Sequence, residues 1–212
     1  DRAGLVGNDG MKHQGLYDLA YLRSIHGLTL MSSIVVWELR MMMYTAYKHK
    51  DEGPFVIRYP RGEGSNGSWR MPLEELPIGK SDELAEGEEL VIVTYGPVGA
   101  VARRVAERLR EEKKQSVGLI NLRFLKPLDT ELLDELPKRY RRILSIEDAA
   151  LAGGMGSALL EYYADRGVAI PIHRLGVGDE YIRHGDVSVQ RAYVGIDEEG
   201  IRAEVESLLD RV

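Results

Sequence analysis

The sequence predicts an α/β fold with a mainly parallel β-sheet covered by helices. Short apolar segments rich in Val and Ile alternate along the chain with longer segments whose apolar residues recur at helical spacing. Strands separated by helices of this length need crossover connections, which bring parallel strands into one sheet. The chain has 212 residues, which suffices for two modest domains of this class or one large one.

Each element of this alternation follows from a residue pattern. Apolar residues at helical spacing predict a helix over 39–46, in which the methionines 41–43 fill the core, and a strand over 55–59 ends at Pro60. The later predicted elements are a strand over 90–95, a helix over 98–109, strands over 117–122, 143–146 and 170–175, helices over 131–136 and after Gly156, and a final helix with Ile201, Val205, Leu208 and Leu209 on one face. Between the two groups, residues 62–87 are rich in Gly, Ser, Pro and acidic residues and predict an interdomain connection.

Composition excludes several function classes. The longest apolar run, 34–37, is far too short to span a bilayer, so no membrane role is predicted. The net charge of −6, with Lys and Arg interspersed among acidic residues, argues against nucleic acid as a partner. The absence of cysteine excludes disulfides, thiolate metal sites and cysteine nucleophiles. The chain begins at Asp1 without methionine or a signal pattern, which we interpret as an internal start.

The first fifteen residues have the composition of an active-site loop. Four glycines frame Asp9 and His13, and glycine allows the backbone to approach a ligand closely. The Arg2 guanidinium can bind phosphate, His13 can exchange a proton with a hydroxyl or carbonyl, and Asp9 can accept a hydrogen bond from a sugar hydroxyl. From the residues alone, a tight turn capped by an acid, with a surface histidine, remains an equal alternative.

A second candidate site follows the strand over 55–59. Ligands of open α/β sheets gather beyond the carboxyl ends of strands, where an arginine is placed to meet a phosphate. Arg58 and Arg61 are both candidates, because Pro60 interrupts the alternation that would decide which one points inward. From the residues alone, the favoured interpretation is that both arginines lie on the surface and pair with some of the many carboxylates.

Other motifs fit structural roles better. The sequence Gly153-Gly154-Met155-Gly156 lacks the third glycine of a dinucleotide loop and indicates a tight strand-to-helix turn. The acids at 147–148 fit a structural or interface role better than a catalytic pair. No histidine spacing matches a zinc site, so no metal ligand is predicted.

Several strings together resemble the 1-deoxy-D-xylulose-5-phosphate synthase family. They are Asp-Arg-Ala-Gly-Leu-Val-Gly at 1–7, Asp-Gly at 9–10, His-Gln-Gly at 13–15, Asp-Leu at 18–19, Tyr-Leu-Arg at 21–23, Arg-Tyr-Pro-Arg-Gly at 58–62, Leu-Pro-Ile-Gly-Lys at 76–80, Arg-Phe-Leu-Lys-Pro-Leu-Asp at 123–129, Glu147, and Gly-Gly-x-Gly-Ser at 153–157. The resemblance extends over nearly the whole chain.

The resemblance implies a fold and a reaction. It implies the later part of a pyrimidine-binding domain over 1–75, followed over 76–212 by a transketolase C-terminal domain with a mainly parallel, mixed sheet. Enzymes of this family use thiamine diphosphate and Mg²⁺ to join pyruvate and D-glyceraldehyde 3-phosphate, with release of CO₂, and the product serves isoprenoid, thiamine and pyridoxal biosynthesis. A homodimer in the bacterial cytoplasm is implied, or a plastid location if the source is a plant.

Site roles are carried over by matching motifs. Arg2 and Arg61 would bind the aldehyde's phosphate. Asp9 and His13 would be the catalytic residues, contacting substrate hydroxyls, with His13 also available for proton transfer.

Two departures limit what this chain can do alone. Apolar residues at 34–37 replace a polar helix-capping segment of the family, which leaves the local helix start open. The family's Gly-Asp-Gly…Asn pattern for Mg²⁺ and diphosphate is missing, and the family glutamate that activates the cofactor lies upstream of Asp1. We therefore expect no cofactor or metal ligand within this chain, and no synthase activity from it alone.

Two other interpretations remain. One is the β subunit of a 2-oxo-acid dehydrogenase, whose missing parts would lie on a partner chain, although the strings at 1–7 and 58–62 favour the synthase. The other is a non-catalytic dimerisation or regulatory module that retains the fold.

Overall fold

Two β-sheets, one of three strands and one of five, organise the chain in the computed structural model, which describes residues 1–64 and 71–210. The strands are β1 (Thr29–Ser32), β2 (Phe55–Arg58), β3 (Asp82–Ala85), β4 (Leu90–Tyr95), β5 (Gly118–Asn121), β6 (Phe124–Lys126), β7 (Arg142–Ala150) and β8 (Ile172–Val177). The α-helices are α1 (Asp18–Leu22), α2 (Val36–Lys48), α3 (Val98–Lys113), α4 (Thr130–Arg139), α5 (Met155–Asp165), α6 (Val187–Tyr193) and α7 (Glu198–Asp210). None of the helices in the described ranges has the length and apolar character required to cross a membrane.

The larger sheet has the strand order β3-β5-β4-β7-β8 and is parallel except for β3, which runs antiparallel to β5. All six residues of β4 are buried, and they alternate between two cores. Leu90 and Ile92 pack with α3 and α7, whereas Val91, Val93 and Tyr95 pack with α4 and α5 on the opposite face. The predicted α/β class with a mainly parallel, mixed sheet is therefore confirmed.

The smaller sheet joins the two parts of the chain. Its order is β2-β1-β6, with β1 and β2 parallel and β6 antiparallel to β1. Strand β6 lies far beyond the connection yet completes the sheet begun by the first sixty residues. The domain division at 75/76 remains a prediction, and a hydrogen-bonded sheet extends across it.

Helix α2 begins at Val36, within the apolar segment 34–37 from which its first residue could not be predicted. The Glu38 carboxylate accepts a hydrogen bond from the backbone N–H of Ile34 at 2.8 Å, which ties the residue before the N-cap Val35 to the first turn of the helix. The same buried carboxylate accepts from Asn121 at 2.9 Å and pairs with Arg123 at 2.7 Å. The start of α2 is thereby anchored to the second part of the chain.

Several sequence expectations need correction. Met43 is 59% exposed, so it does not belong to the core in the described structure. Strand β7 is longer than the predicted 143–146, and the predicted connection contains the edge strand β3. Strands β1 and β6 were missed because each is three or four residues long and depends on its partners rather than on local pattern.

The glycine-rich turn before α5 is filled by the protein's own carboxylate. Glu147 accepts hydrogen bonds from the backbone N–H groups of Met155 at 2.6 Å and Gly156 at 2.9 Å. A Cβ on Gly154 would lie 2.2 Å from the Glu147 Oε2, which explains the glycine there. The turn is therefore a structural cap rather than a phosphate loop.

Burial raises the pKa of Glu147 to about 7, against the opposing effect of its two backbone hydrogen bonds. The folded protein therefore holds the Glu147 proton more tightly than the unfolded chain does. The resulting contribution to the free energy of unfolding is fully present below pH 4.5 and is lost as the pH rises toward 7. We expect Glu147→Gln to flatten this decline in the free energy of unfolding, measured by denaturant unfolding at several pH values.

The control for this experiment is Glu111→Gln, at an exposed position of α3. It should leave the pH dependence as in the parent chain. If the free energy of unfolding changed with pH equally in the parent and in Glu147→Gln between pH 4.5 and 7, the raised pKa of Glu147 would be contradicted.

Candidate functional site

The N-terminal loop is a ring closed by backbone hydrogen bonds. The N–H of Gly4 donates to the carbonyl of Gly15 at 2.8 Å, and the N–H of Gly15 donates back to Gly4 at 2.9 Å. Two short 3₁₀ turns lie inside the ring, Gly7–Asp9 and Met11–His13. Gly7 and Gly10 have φ values of 71° and 82°, which other residues rarely adopt, so the glycines are needed for this path.

The four predicted site residues come together around Asp9. Its carboxylate oxygen Oδ2 lies 3.5 Å from Arg2 Nε and 3.1 Å from Arg61 Nε. The imidazole Nδ1 of His13 lies 3.0 Å from the backbone carbonyl of Asp9. Two guanidinium groups from distant parts of the sequence thus converge beside one acid and one imidazole. The roles of these residues remain predictions.

The two arginines keep binding capacity for a ligand. Their side chains are 48% and 52% exposed, whereas that of Asp9 is 21% exposed. Within residues 1–64 and 71–210, no second carboxylate lies within salt-bridge distance of Arg2 or Arg61. Each ion pair uses only the Nε side of a guanidinium that carries five N–H donors. The terminal nitrogens are therefore the groups that an anion could meet.

Arg2 has an unusual backbone. Its φ of 61° lies in the left-handed region that non-glycine residues seldom occupy. Such conformations persist only where surrounding contacts enforce them, and they concentrate at binding sites. The adjacent Ala3 N–H donates to the Tyr59 carbonyl at 3.0 Å, which fixes Arg2 next to the strand end that carries Arg61.

The structure separates the two arginines of the second motif. Arg58 points inward, is 4% exposed, and pairs with the Asp18 carboxylate at 2.7 Å. It also donates to the carbonyls of Gly15 at 2.7 Å and Asp148 at 2.8 Å. Arg61, beyond Pro60, turns toward Asp9. Arg58 therefore has a structural position and Arg61 a site position.

Three further side chains hold the loop from behind. Asp148, one of the two acids that the sequence favours as structural or interface residues, accepts from the Leu5 N–H at 2.9 Å and pairs with Arg191 at 3.2 Å. The side chain of Gln14 accepts from the Val6 N–H at 2.7 Å, and that of Gln190 accepts from the Gly7 N–H at 2.9 Å. Gln190 was not predicted from the sequence, because a partner more than 140 residues away gives no local sequence signal.

A cleft of about 380 Å³ lies beside Arg61, between the first turns of α2, α3 and α6. Apolar side chains such as Val36 and Val101 line it, together with Arg61, Arg104, Arg191 and Glu63. Each of the three guanidinium groups is paired with a carboxylate: Arg61 with Asp9, Arg104 with Glu198, and Arg191 with Asp148.

The residues present do not fit the Mg²⁺-diphosphate group of thiamine diphosphate. Asp9, the acid nearest to the expected motif, is already flanked by two guanidinium groups, which would repel a divalent cation. Across the part of the chain that the structure describes, acidic and histidine side chains nowhere form a group of three placed to hold a metal ion.

Comparison with known proteins agrees with this architecture. The family model described as "Transketolase, pyrimidine binding domain" matches residues 1–65, and "Transketolase, C-terminal domain" matches 79–201. A solved structure titled "Split gene transketolase, inactive beta4 tetramer" superposes with a TM-score of 0.79 at 25% identity, over 93% of this chain and 62% of that one.

Curated relatives support the resemblance seen in the motifs. The chain is 51% identical to a 1-deoxy-D-xylulose-5-phosphate synthase of Bacteroides fragilis, over 95% of this chain and 31% of the relative. For the synthase of Bacteroides thetaiotaomicron, identity is 45% over 97% of this chain and 32% of the relative. The chain thus spans about a third of the length of these relatives. Because the C-terminal-domain match alone covers more than half of the sequence, the chain belongs to the transketolase family.

Proposed function

We propose that this chain supplies the acceptor-substrate site of a thiamine-diphosphate-dependent 1-deoxy-D-xylulose-5-phosphate synthase. The reaction would join pyruvate and D-glyceraldehyde 3-phosphate into 1-deoxy-D-xylulose 5-phosphate and CO₂. The observation that carries the proposal is the convergence of Arg2 and Arg61 on Asp9, next to His13. The motif strings and the similarity to synthases over 95% of the chain support it.

The arginine pair suits a phosphate monoester. A dianionic phosphate offers oxygens to two guanidinium groups at once, and such charge-assisted hydrogen bonds are the strong ones. The Asp9 carboxylate attracts both guanidinium groups before the ligand arrives, although its Oδ2 makes no hydrogen bond to either of them. The phosphate would then bind at the exposed ends of Arg2 and Arg61, and the aldehyde end would extend toward His13.

The contact of His13 with Asp9 defines its protonation chemistry. A carbonyl oxygen can only accept, so Nδ1 of His13 must be the donor in the 3.0 Å contact. In the neutral ring Nε2 then carries the lone pair, and the side chain is exposed. His13 can thus accept a proton at Nε2 from a substrate hydroxyl and return it.

The remaining parts of the reaction are proposed to lie elsewhere in the enzyme. Thiamine diphosphate provides the chemistry that activates pyruvate. We propose that this cofactor and Mg²⁺ bind to residues outside this chain. A homodimer in the bacterial cytoplasm is part of the same proposal.

A second candidate follows from the solved structure. Its title names a split-gene transketolase, and the second candidate is that the gene of this enzyme is split as well. The upstream part of our enzyme would in that case belong to another polypeptide. The higher identity to the Bacteroides synthases favours the single-chain synthase.

A chimera tests the function. Residues 1–212 would replace the matching third of the Bacteroides fragilis synthase. The rest of that synthase then supplies the upstream region. We expect 1-deoxy-D-xylulose 5-phosphate from the chimera with thiamine diphosphate and Mg²⁺. The isolated chain should release no CO₂ from pyruvate under the same conditions.

Product formed only when the upstream region is supplied as a separate polypeptide would favour the split arrangement. A folded chimera without synthase activity would refute the proposal. Activity of the isolated chain would refute its dependence on the upstream region.

Arg61→Ala in the chimera tests the phosphate role. Loss of a charge-assisted contact costs about 1.5–3 kcal/mol, which should raise the KM for D-glyceraldehyde 3-phosphate about 10- to 100-fold. The KM for unphosphorylated D-glyceraldehyde should stay unchanged, because that substrate has no group for the guanidinium to bind. Arg2→Ala should behave in the same way.

Arg103→Ala is the matched control, since this arginine is 60% exposed and forms a salt bridge with Glu107 on its own helix. It should leave both KM values unchanged. If Arg61→Ala raised the two KM values equally, the phosphate role would be wrong.

A further inference from the structure

We propose that Gln190, on α6 of the second part of the chain, is a positioning residue that sets the place of Asp9 in the substrate site. The inference rests on the proposed function, because it assigns Asp9 to that site. It gives the C-terminal part a direct role in the site.

The side chain of Gln190 is 3% exposed and uses its amide fully. Its Oε1 accepts from the N–H of Gly7 at 2.9 Å, and its Nε2 donates to the carbonyl of the same glycine at 3.3 Å. The second Nε2 proton goes to the Arg183 carbonyl at 2.7 Å. One planar amide thus forms hydrogen bonds with both the N–H and the carbonyl of Gly7, as a neighbouring β-strand would.

This pair of hydrogen bonds requires glycine at position 7. A Cβ there would lie 3.1 Å from both the Gly185 carbonyl oxygen and the Val187 side chain, and φ is 71°. The backbone of the loop therefore approaches the start of α6 closely. Gly7 is buried, so its N–H would have no water to replace the lost partner if the Gln190 amide were removed.

Gly7 controls the position of Asp9. The two residues are the ends of one 3₁₀ turn, which closes with a hydrogen bond from Gly10 N–H to the Gly7 carbonyl at 3.3 Å. A turn this short moves as a unit, so displacement of Gly7 displaces the Asp9 carboxylate. Asp9 in turn orients Arg2 and Arg61, and small displacements of such groups cost rate.

Other contacts secure the loop before this turn. Asp148 holds the Leu5 N–H, and Gln14 holds the Val6 N–H. Loss of the Gln190 amide should consequently leave the ring and the fold in place while the Gly7–Asp9 turn loses its outside support. A substitution that disturbs the turn but not the fold would show that Gln190 positions Asp9 rather than stabilising the whole structure.

Two substitutions isolate the amide. Gln190→Met keeps the side-chain length and removes all three hydrogen bonds. Gln190→Glu keeps an acceptor for the Gly7 N–H, but an ionised carboxylate would face the carbonyls of Gly7 and Arg183 and repel them. A protonated carboxyl has one donor and one acceptor, so it restores the Gly7 pair as the pH falls.

In the chimera, we expect Gln190→Met to lower kcat/KM for D-glyceraldehyde 3-phosphate about tenfold or more, with the KM for pyruvate unchanged. Gln190→Glu should be similarly impaired at pH 8 and should recover relative to the parent as the pH falls toward 6. The control is Gln115→Met, because the Oε1 of Gln115 is buried without a hydrogen-bond partner in the described structure and lies at the end of α3, away from the loop. It should leave kcat/KM unchanged.

Amide hydrogen exchange on the isolated chain provides an independent readout. Gln190→Met should speed exchange in residues 7–13 while residues 90–95 of the central strand keep the parent rates. An inactive parent chimera would refute the proposed function, and exchange would still test the role of Gln190. The positioning role would be wrong if the chimera were active and Gln190→Met left its kcat/KM unchanged. It would also be wrong if Gln190→Met sped hydrogen exchange equally in residues 7–13 and 90–95.

Discussion

The buried guanidinium of Arg58 is the interaction on which the rest of the site depends. It sits at the end of β2, pairs with Asp18 at 2.7 Å, and donates to the carbonyls of Gly15 and Asp148. It therefore joins the smaller sheet, the closure of the N-terminal ring and the end of β7. A buried charge is stable only when it is paired and hydrogen-bonded, so these partners are constrained to meet at one place.

From this junction the site is assembled from three separate pieces. The ring supplies Asp9 and His13, and the residue just beyond β2 supplies Arg61. The second part of the chain supplies the contacts behind the ring, through Asp148 and Gln190. A ligand site built in this way depends on the packing of the two parts of the chain against each other, because the binding groups lie in the first part and the supports Asp148 and Gln190 lie in the second.

Local pattern predicted the larger sheet well and the smaller one poorly. The strand Leu90–Tyr95 and the start of α3 at Val98 agree with their predictions because continuous apolar runs and helical spacing leave few alternatives. Strand β6, only three residues long, is stabilised by pairing with a strand almost a hundred residues earlier. The start of α2 similarly relies on Glu38, whose partners Asn121 and Arg123 come from the second part.

The amino-acid pattern alone predicted the α/β class, a glycine-rich loop and the residue types able to bind a phosphorylated substrate, because these depend on periodicity and on the chemistry of single side chains. Which arginine faces the site became clear only in the folded chain. The same holds for Glu147, which fills the glycine turn, and for Gln190, which holds Gly7. These outcomes depend on which distant groups become neighbours, and on burial, which makes most polar groups find a partner within the protein.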